Sequence, residues 1–311
     1  MPYHIVEFPD GYRVVSIHGD ILSHRPLSYN QAHKQFIAVN IKEHEKNLNN
    51  TTAKGGMKAP YGRVGGKSKL KKLIVDEYFP KDYESLVYVE PFIGAGSIYF
   101  YKEPSELEII NDLDTQPYTL LKGFKKFDGK KISKDLNGLY TKDLFNEIKA
   151  SNPTSEYGKF MRTLQLTRTS FFNNMKSFGV GSDPNTPRNY IQSNFNNNAI
   201  KDRMKDTIIL NEDYKNLIKE YDSPETFFYL DPPYEESGKL YTHSSLPIKD
   251  VYNALKNIKG RFLISYNDST EAKKLFKNYY INYADTTYEH TNTVGKRIKK
   301  EMLISNYDPF N

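Results

Sequence analysis

The feature that most constrains the fold is a short apolar run that ends abruptly in an acid and two prolines. Residues 227–230 are β-prone, and Asp231, Pro232, Pro233 and Tyr234 follow them directly. Continuous apolar runs of this length are typical of strands buried on both faces of a parallel sheet. Proline fixes φ and has no N–H to donate, so the strand ends there. We therefore expect Asp231 and Tyr234 just beyond the carboxyl end of a strand, where open α/β sheets bind ligands.

Further strand patterns surround this run. From residue 86 the chain reads as strand, glycine turn, helix starting at Ile98, and strand, which is the opening of a doubly wound sheet. The predicted strands cover residues 86–89, 107–110, 207–210, 227–230, 261–265, 279–283 and 301–305. A helix containing Leu70 and Tyr78 is expected to end before Pro80.

Length and charge restrict the function classes. The 311 residues suffice for a large α/β domain with an insertion, or for two domains. The 44 Lys and Arg against 38 Asp and Glu favour a polyanionic partner such as nucleic acid, although an excess of this size is also common on ordinary surfaces. The absence of cysteine excludes disulfides, thiolate metal sites and cysteine nucleophiles. With no membrane-span pattern and no signal sequence, we expect a soluble, intracellular protein.

The composition of the chain changes along its length, which suggests three parts. Residues 1–50 predict a small N-terminal appendage, with a hairpin formed by 12–17 and 21–22 and a helix capped near Ser28. A polar linker at 47–57 separates it from the main domain, predicted at 57–121 and 201–311. Between these, residues 122–200 show patchy helical periodicity and are predicted to form an insertion outside the sheet.

Two conspicuous patterns do not support the sites that they first suggest. Five of the seven histidines lie in the first 50 residues, but none of their spacings is typical of a metal site, so we interpret them as surface residues. Gly62 and Gly66 enclose three residues before Lys67 and Ser68, whereas a nucleoside triphosphate P-loop requires four. This loop is therefore interpreted as a flexible turn that opens a helix.

A glycine turn after the first main strand predicts a cofactor site. The turn begins at Glu90 and Phe92 and contains Gly94 and Gly96, which allow the backbone to pass close to a ligand. Asp112 ends the next strand about 20 residues later, where an acid can accept hydrogen bonds from both ribose hydroxyls. Together the turn and the acid indicate a cofactor that contains adenosine.

The residues after the central strand indicate the chemistry. The exocyclic amine of a base is a poor nucleophile, because its lone pair is delocalised into the ring. If Asp231 accepts one amino hydrogen and the Pro232 carbonyl accepts the other, the lone pair becomes available for attack. Tyr234 can stack on the base. This combination predicts chemistry on a base held outside its helix.

The order of these motifs resembles the Dam-like (D12 class) DNA adenine N6-methyltransferases over residues 58–308. The matching motifs are the loop at 65–67, the turn at 90–96, Asp112, the stretch 211–214, the tetrapeptide at 231–234 and the stretch 301–306. The resemblance implies that the cofactor is S-adenosylmethionine, with Asp112 on its ribose and Asp213 on its adenine amine, and Glu212 as the alternative to Asp213. The implied cofactor-binding residues are Tyr61, Gly65, Lys67, Glu90, Phe92, Gly94, Gly96, Asp112, Asp213 and Asp231. One departure is Arg63, since the family usually carries an aromatic residue there.

The same resemblance makes residues 122–200 a target-recognition domain and 57–121 with 201–311 the catalytic domain. Arginine can read guanine and asparagine can read adenine in the major groove, while other cations bind phosphates. The residues expected to contact DNA are Arg162, Arg168, Ser170, Asn173, Asn174, Lys176 and Arg188. The alternative for any one of them is an ordinary polar position in a helical subdomain.

We therefore expect a class I (Rossmann-like) α/β methyltransferase fold with a helical recognition insertion. The predicted enzyme flips adenine out of double-stranded DNA and methylates N6 in a direct displacement, without a metal ion or a covalent intermediate. The alternatives are transfer to another amine, such as cytosine N4 or an RNA base, and a catalytically silent DNA-binding relative. The expected partners are DNA and, as a candidate, a cognate restriction endonuclease, in a prokaryotic cytoplasm or at the replication site of a virus.

Overall fold

The computed structural model shows an α/β sheet with a small N-terminal hairpin and a helical segment beside it. It describes the chain over residues 3–16, 19–23, 25–27, 31–32, 35, 39, 55–63, 65–179, 190–191, 193–195, 198–234, 246–288 and 297–311. Among these residues, no helix is long and apolar enough to cross a membrane.

The N-terminal hairpin differs from the predicted one. Strand β1 (Tyr3–Phe8) pairs antiparallel with β2 (Gly11–Ser16) through a turn at 9–10, whereas Val15 forms only an isolated bridge with Ile21. The predicted contact of 12–17 with 21–22 is confirmed as this bridge, in which Leu22 N donates to Val14 O and Ser16 N donates to Asp20 O. The longer pairing of β2 with β1 was not predicted.

The main sheet has seven strands in the order β10, β11, β9, β8, β3, β4, β7. Its strands are β3 (Val87–Glu90), β4 (Leu107–Asn111), β7 (Ile208–Leu210), β8 (Thr226–Leu230), β9 (Arg261–Asn267), β10 (Tyr280–Tyr288) and β11 (Arg297–Ser305). Strands β7, β4, β3, β8 and β9 run parallel, and β11 runs antiparallel to both β9 and β10. All seven predicted strands are confirmed.

The chain passes outward from β3 to β4 and β7, and then returns to β8 on the other side of β3. The strand order therefore reverses between β3 and β8, and such a point is where open α/β sheets form a ligand crevice at the carboxyl ends of their strands.

Helices cover both faces of the sheet. Helix α1 (Lys71–Leu73) continues as a π-helix at Ile74–Tyr78 and packs with Tyr88 and Tyr229 on one face. The other face, which carries Phe228 and Leu230, packs against three helices. These are α7 (Tyr214–Tyr221), α8 (Ile248–Leu255) and α9 (Thr270–Leu275). Neighbouring residues of β8 thus enter opposite cores, which explains its continuous apolar sequence.

A mostly helical segment connects β4 to β7. It contains α2 (Thr115–Lys126), α3 (Gly129–Leu136), α4 (Lys142–Ala150), α5 (Glu156–Thr169), α6 (Ala199–Arg203) and the two-residue strands β5 (Gly138–Leu139) and β6 (Tyr190–Ile191). None of its described residues joins the main sheet. Helices α2 and α5 approach closely, since a Cβ at Gly123 would lie 1.9 Å from the Phe160 ring.

The helix predicted after the glycine turn is reduced to a single turn. A helix was expected to begin at Ile98, but residues 97–102 form a single turn, in which Phe100 N donates to Gly96 O and Lys102 N donates to Ile98 O. The apolar side chains of this turn, Tyr99 and Phe100, are buried, so packing determines its conformation.

Candidate active site

A cleft of about 430 Å³ opens at the carboxyl edge of the sheet, where the strand order reverses. Four strands each bring one acidic residue to it. Glu90 ends β3, Asp112 follows β4, Asp213 follows β7 and Asp231 follows β8, and all four line the cleft. The structure thus brings together acids that are far apart in the sequence.

Asn111 holds three of the cleft loops together. Its Nδ2 donates to the carbonyls of Pro91 and Glu212 at 2.9 and 3.0 Å, and its Oδ1 accepts from Glu212 N at 2.8 Å. The loops after β3 and β7 are therefore fixed to the end of β4. Asn111 was not among the predicted site residues. Its position as a polar residue at the end of an apolar strand could have indicated a role at the cleft.

The glycine turn is fixed to Asp112. Gly94 N donates to Asp112 Oδ2 and Asp114 N donates to Asp112 Oδ1, both at 2.9 Å. Gly94 has a φ of +51°, a left-handed conformation that favours glycine. Burial raises the pKa of Asp112 above its usual value, although Arg63 and the two backbone donors oppose that rise. A carboxylate can accept more than two hydrogen bonds, so Asp112 retains capacity for ribose hydroxyls.

A cluster of charged and phenolic groups surrounds Asp231. The Lys67 ammonium lies 2.6 Å from Asp231 Oδ1, 3.0 Å from the Tyr234 hydroxyl oxygen and 3.2 Å from Glu301 Oε1, and donates to the Gly65 carbonyl at 3.3 Å. The Tyr234 hydroxyl in turn donates to Glu301. We call Lys67, Asp231, Tyr234 and Glu301 the charged cluster.

The charged cluster shifts the protonation of its members. Burial raises the pKa of Asp231 to about 6, with Lys67 opposing the rise and Glu301 adding to it. Burial alone would lower the pKa of Lys67, but Asp231 and Glu301 raise it above its usual value, so the lysine stays charged. Glu301 was part of a predicted motif without a role, and an acid at the start of an apolar strand was its signal.

The composition of the cleft fits S-adenosylmethionine, whose sulfonium and ammonium are cationic. The described lining has more acidic than basic residues: Glu90, Asp112, Asp114, Glu212, Asp213, Asp231 and Asp250 against Arg63, Lys67 and Lys215. Phe92 and Tyr214 also line the cleft, with ring centroids 5.1 Å apart, and offer an apolar surface to a base. Asp213 caps helix α7 through Lys215 N.

Two residues predicted to bind the cofactor do not line the cleft. Tyr61 is buried, donates from its hydroxyl to the Gly94 carbonyl at 2.7 Å and stacks on Phe124, so it supports the glycine turn from below. Gly96 has a φ of +76°, and a Cβ there would lie 3.0 Å from the Phe100 ring. Its glycine is therefore required by packing. The other predicted cofactor residues, and Pro232 and Pro233, lie in the cleft lining.

Two of the residues predicted to contact DNA make hydrogen bonds within the helical segment. Arg162 donates to the carbonyls of Ile148 at 3.1 Å and Lys149 at 2.5 Å, at the end of helix α4. Ser170 is buried, and its hydroxyl accepts from Met175 N at 2.9 Å. The last carbonyls of a helix have no partner within the helix, and the Arg162 guanidinium donates to two of them.

The other predicted DNA contacts that the structure describes lie in the last turn of helix α5 and in the turn that follows it. Arg168 is exposed and donates to Ser193 Oγ at 3.1 Å, and Lys176 is exposed. Asn173 and Asn174 are half-buried, and Asn173 has a left-handed φ of +55°. Arg188 lies outside the described residues. Within the part of the chain that the structure describes, no group of three or more acidic or histidine side chains is arranged to hold a metal ion.

Comparison with known proteins identifies relatives across most of the chain. The model of the D12 class N6 adenine-specific DNA methyltransferase family matches residues 64–290. Type II methyltransferase M.CviBI of Paramecium bursaria Chlorella virus NC1A is 22% identical over 78% of this chain and 97% of its own length. M1.LlaDCHI of Lactococcus lactis subsp. cremoris is 26% identical over 78% of this chain and 93% of its length. M.MjaIII of Methanocaldococcus jannaschii is 26% identical, with coverages of 77% and 90%.

The strand order and the single reversed strand β11 give the class I, Rossmann-like sheet of S-adenosylmethionine-dependent methyltransferases. The family model covers the glycine turn, the cleft acids up to Asp231 and the helical segment. The chain therefore belongs to the D12 class of N6 adenine-specific DNA methyltransferases, and it is an S-adenosylmethionine-dependent enzyme that methylates adenine in DNA.

Proposed function

We propose that the enzyme methylates a flipped-out adenine at a specific site in duplex DNA, with Asp231 and Tyr234 as its catalytic residues. The observation that supports this most is the contact of Lys67 with Asp231 at 2.6 Å. A nitrogen donor beside the Tyr234 hydroxyl is the arrangement that an adenine amine would adopt on the same carboxylate. The contact supports Asp231 as an acceptor for a nitrogen donor in the cleft, which is the role proposed for it towards the target amine.

In the proposed reaction the protein mainly positions the base. Asp231 and the Pro232 carbonyl each accept one hydrogen of N6, which directs the nitrogen lone pair towards the methyl group. The cofactor supplies an activated methyl group, so the N6–carbon bond forms as the carbon–sulfur bond breaks. The proton that N6 then loses can pass to Asp231, whose pKa is about 6. Tyr234 is held for stacking, because its ring packs edge-on against Tyr266 at 5.0 Å and its hydroxyl donates a hydrogen bond to Glu301.

We infer that the cofactor lies along the cleft from β8 towards β7. Asp112 would accept the ribose hydroxyls, and Phe92 would pack on the adenine beside Asp213. Gly65, together with Glu90 and Gly94 of the glycine turn, would contact the methionine end of the cofactor. Lys67 would face both the cofactor and the target base. The distribution of acids over the cleft supports this direction.

We further propose that the segment from 122 to 200 recognises DNA through the turn after helix α5. The candidates are Arg168, in the last turn of α5, and Asn173, Asn174 and Lys176 in the turn after it, and Arg188 stays a prediction. The relatives named above are Type II methyltransferases. By analogy, a restriction endonuclease that cuts the same sequence is proposed as a partner, in the compartment that contains the DNA.

The test is methyl transfer by Asp231→Ala. Labelled S-adenosylmethionine and unmethylated duplex DNA are incubated with the enzyme, and the nucleosides are separated and identified by mass. We expect N6-methyladenine with the wild type and none with Asp231→Ala, while the variant still binds cofactor. Asp82→Ala, which removes an exposed carboxylate bound to Arg261 away from the cleft, serves as the control and should retain activity. Transfer at the wild-type rate by Asp231→Ala would refute the proposed mechanism.

A further inference from the structure

The Arg63 side chain lies between the cofactor cleft and the helical segment. Its NH2 donates to Asp114 Oδ2 at 2.7 Å, and its NH1 donates to Gln116 Oε1 at 3.3 Å. The guanidinium is largely buried, with 14% of the side chain exposed. Burial alone would lower the pKa of Arg63, but Asp112 and Asp114 raise it, so the charge is retained.

Towards the cleft, Arg63 is joined to the proposed ribose site. Asp114 N donates to Asp112 Oδ1, and the other Asp112 oxygen holds Gly94 N. The side chain of Arg63 also passes over the glycine turn, since a Cβ on Gly94 would lie 3.8 Å from Arg63 Cδ. A ligand that orders Asp112 therefore also orders the partners of Arg63.

Towards the helical segment, Gln116 continues the connection. Its Nε2 donates to Thr167 Oγ1 at 2.8 Å, in helix α5, and to the carbonyl of Asn173 at 3.1 Å. The amide of Asn173 lies close to the Arg63 loop as well, since a Cβ on Gly62 would be 2.9 Å from Asn173 Nδ2. The two ends of the Gln116 side chain thus bind the cofactor loop and the turn after α5.

The turn after helix α5 has a conformation that its surroundings must maintain. Asn173 and Met175 have φ angles of +55° and +59°, which residues other than glycine rarely adopt. Such conformations persist only where neighbouring contacts determine them. The Gln116 contact to the Asn173 carbonyl is one such contact, and a second is the Ser170 hydroxyl, which accepts from Met175 N.

We propose that Arg63 is a positioning residue that couples cofactor binding to DNA binding, through Asp114 on one side and Gln116 with Asn173 on the other. The coupling rests on the proposed function in that the turn after α5 contacts DNA. Cofactor at Asp112 stabilises the Arg63 and Gln116 contacts, which hold the turn in its DNA-binding conformation. Because coupling between two sites is reciprocal, bound DNA must tighten the cofactor by the same factor.

The test measures this factor with S-adenosylhomocysteine as the probe. Equilibrium dialysis gives its Kd with and without saturating unmethylated duplex DNA of mixed sequence. We expect DNA to lower the Kd of the wild type by about 10-fold, within the usual range of coupling between sites. Arg63→Met and Gln116→Met should each reduce the ratio to less than about 2-fold, because each removes one end of the link.

Two further variants distinguish coupling through the two hydrogen bonds of Arg63 from an effect of its positive charge alone. Arg63→Lys keeps the positive charge near Asp112 and Asp114, but one ammonium cannot bind Asp114 and Gln116 in the same geometry as a guanidinium fork. We expect Arg63→Lys to bind S-adenosylhomocysteine with the wild-type Kd in the absence of DNA. Its Kd should nevertheless change less than about 2-fold when DNA is added. Arg261→Met is the control, because the Arg261 guanidinium also donates from NH1 and NH2, but to a single residue, Asp82, away from the cleft, and this variant should keep the full ratio.

A wild-type ratio near one would overturn the proposal, and so would a full ratio in Arg63→Met or Gln116→Met. Restoration of the ratio by Arg63→Lys would also overturn it, because charge alone would then suffice. If Arg63→Met bound no S-adenosylhomocysteine at any concentration, Arg63 would be a cofactor-binding residue and not a residue that couples the two sites. Methyl transfer by the wild type is recorded separately. Absence of N6-methyladenine would refute the proposed function, while the Kd ratio still tests the coupling.

Discussion

At the scale of single residues, the charged cluster determines when the site can accept an amine. Lys67 is shared by two carboxylates, Asp231 and Glu301, and Asp231 is the residue proposed to accept from the base. The lysine keeps Asp231 ionised at a higher fraction than burial alone would allow. In the proposed reaction the base also donates to Asp231, while Glu301, the Tyr234 hydroxyl and the Gly65 carbonyl hold the Lys67 ammonium.

The pH dependence of methyl transfer follows from this arrangement. Asp231 accepts the amine hydrogen only when ionised, and its pKa is about 6, so kcat/KM should fall as the pH drops through about 6. Lysine lowers that pKa, so Lys67→Met should move the midpoint to higher pH in the activity that it retains. Initial rates of methyl transfer between pH 5 and 9, at subsaturating DNA, measure the midpoint.

The control for this pH profile is Lys71→Met. The Lys71 ammonium donates to the Met57 carbonyl at 3.2 Å and does not contact Asp231, so its removal should leave the midpoint near 6. A wild-type midpoint at the ordinary carboxyl value near 4, or a downward shift in Lys67→Met, would contradict the assignment of the profile to Asp231.

At the scale of elements, strands were predictable and their connections were less so. Strand β8 is buried on both faces, and this leaves a continuous apolar run in the sequence. The single turn at 97–102 has the same apolar residues as a helix, and only its packing against the sheet limits its length. Strand β1 was not predicted, because residues 3–8 lack the regular alternation of a half-buried strand.

Site residues at strand ends were predictable for the same reason as the strands. Asp112 and Asp231 follow apolar runs directly, so the sequence places them at the cleft. Asn111, Gln116 and Glu301 act through contacts with residues that are far away in the sequence. A polar residue at one end of an apolar run, such as Asn111 or Glu301, marks the position but does not identify the partner. Glu301 and Tyr234, for example, are separated by 67 residues.

The connection between loops can be tested with Asn111→Ala. Three hydrogen bonds of a buried amide would be lost, so the free energy of unfolding should fall by about 1–3 kcal/mol. The affinity for S-adenosylhomocysteine should fall by about 10-fold, which equals about 1.4 kcal/mol, because the loops after β3 and β7 would lose their common anchor. Urea unfolding and equilibrium dialysis measure the two effects.

Asn306→Ala is the matched control for Asn111→Ala. The Asn306 amide also joins backbone segments, accepting from Phe262 N and donating to the Gly260 carbonyl, but it lies at the opposite end of β9 from the cleft. Its loss should lower stability and leave cofactor affinity unchanged. Equal losses of cofactor affinity in both variants would contradict a specific role of Asn111 at the cleft.

At the scale of the whole molecule, a buried ion cluster attaches the helical segment to the sheet. Glu108 in β4 binds Lys102, in the turn after the glycine loop, at 2.6 Å, and Arg203 in helix α6 at 2.8 Å. All three side chains are almost completely buried. Burial alone would raise the pKa of Glu108, but Arg203 and Lys102 lower it to about 2. The carboxylate is thus the common counterion of two buried cations.

Glu108→Gln should therefore destabilise the protein strongly. Removing one partner of a buried ion pair leaves uncompensated charge, which typically costs about 3–5 kcal/mol of unfolding free energy. Urea unfolding followed by circular dichroism measures this loss. Glu156→Gln is the control, since the pair of Glu156 with Lys126 is exposed, and its unfolding midpoint should not change. A Glu108→Gln protein as stable as the wild type would show that the cluster does not hold the two parts together.

The position of β11 between β9 and β10 has a consequence for biosynthesis. A ribosome produces β9 and β10 before the strand that separates them, so the growing chain exposes the edge of β9 until β11 is inserted. Unpaired strand edges are prone to wrong pairing, and this is the stage at which a nascent chain benefits most from a chaperone. The same insertion brings Glu301 to Lys67, so pairing of β11 completes the charged cluster and covers the exposed edge of β9 together.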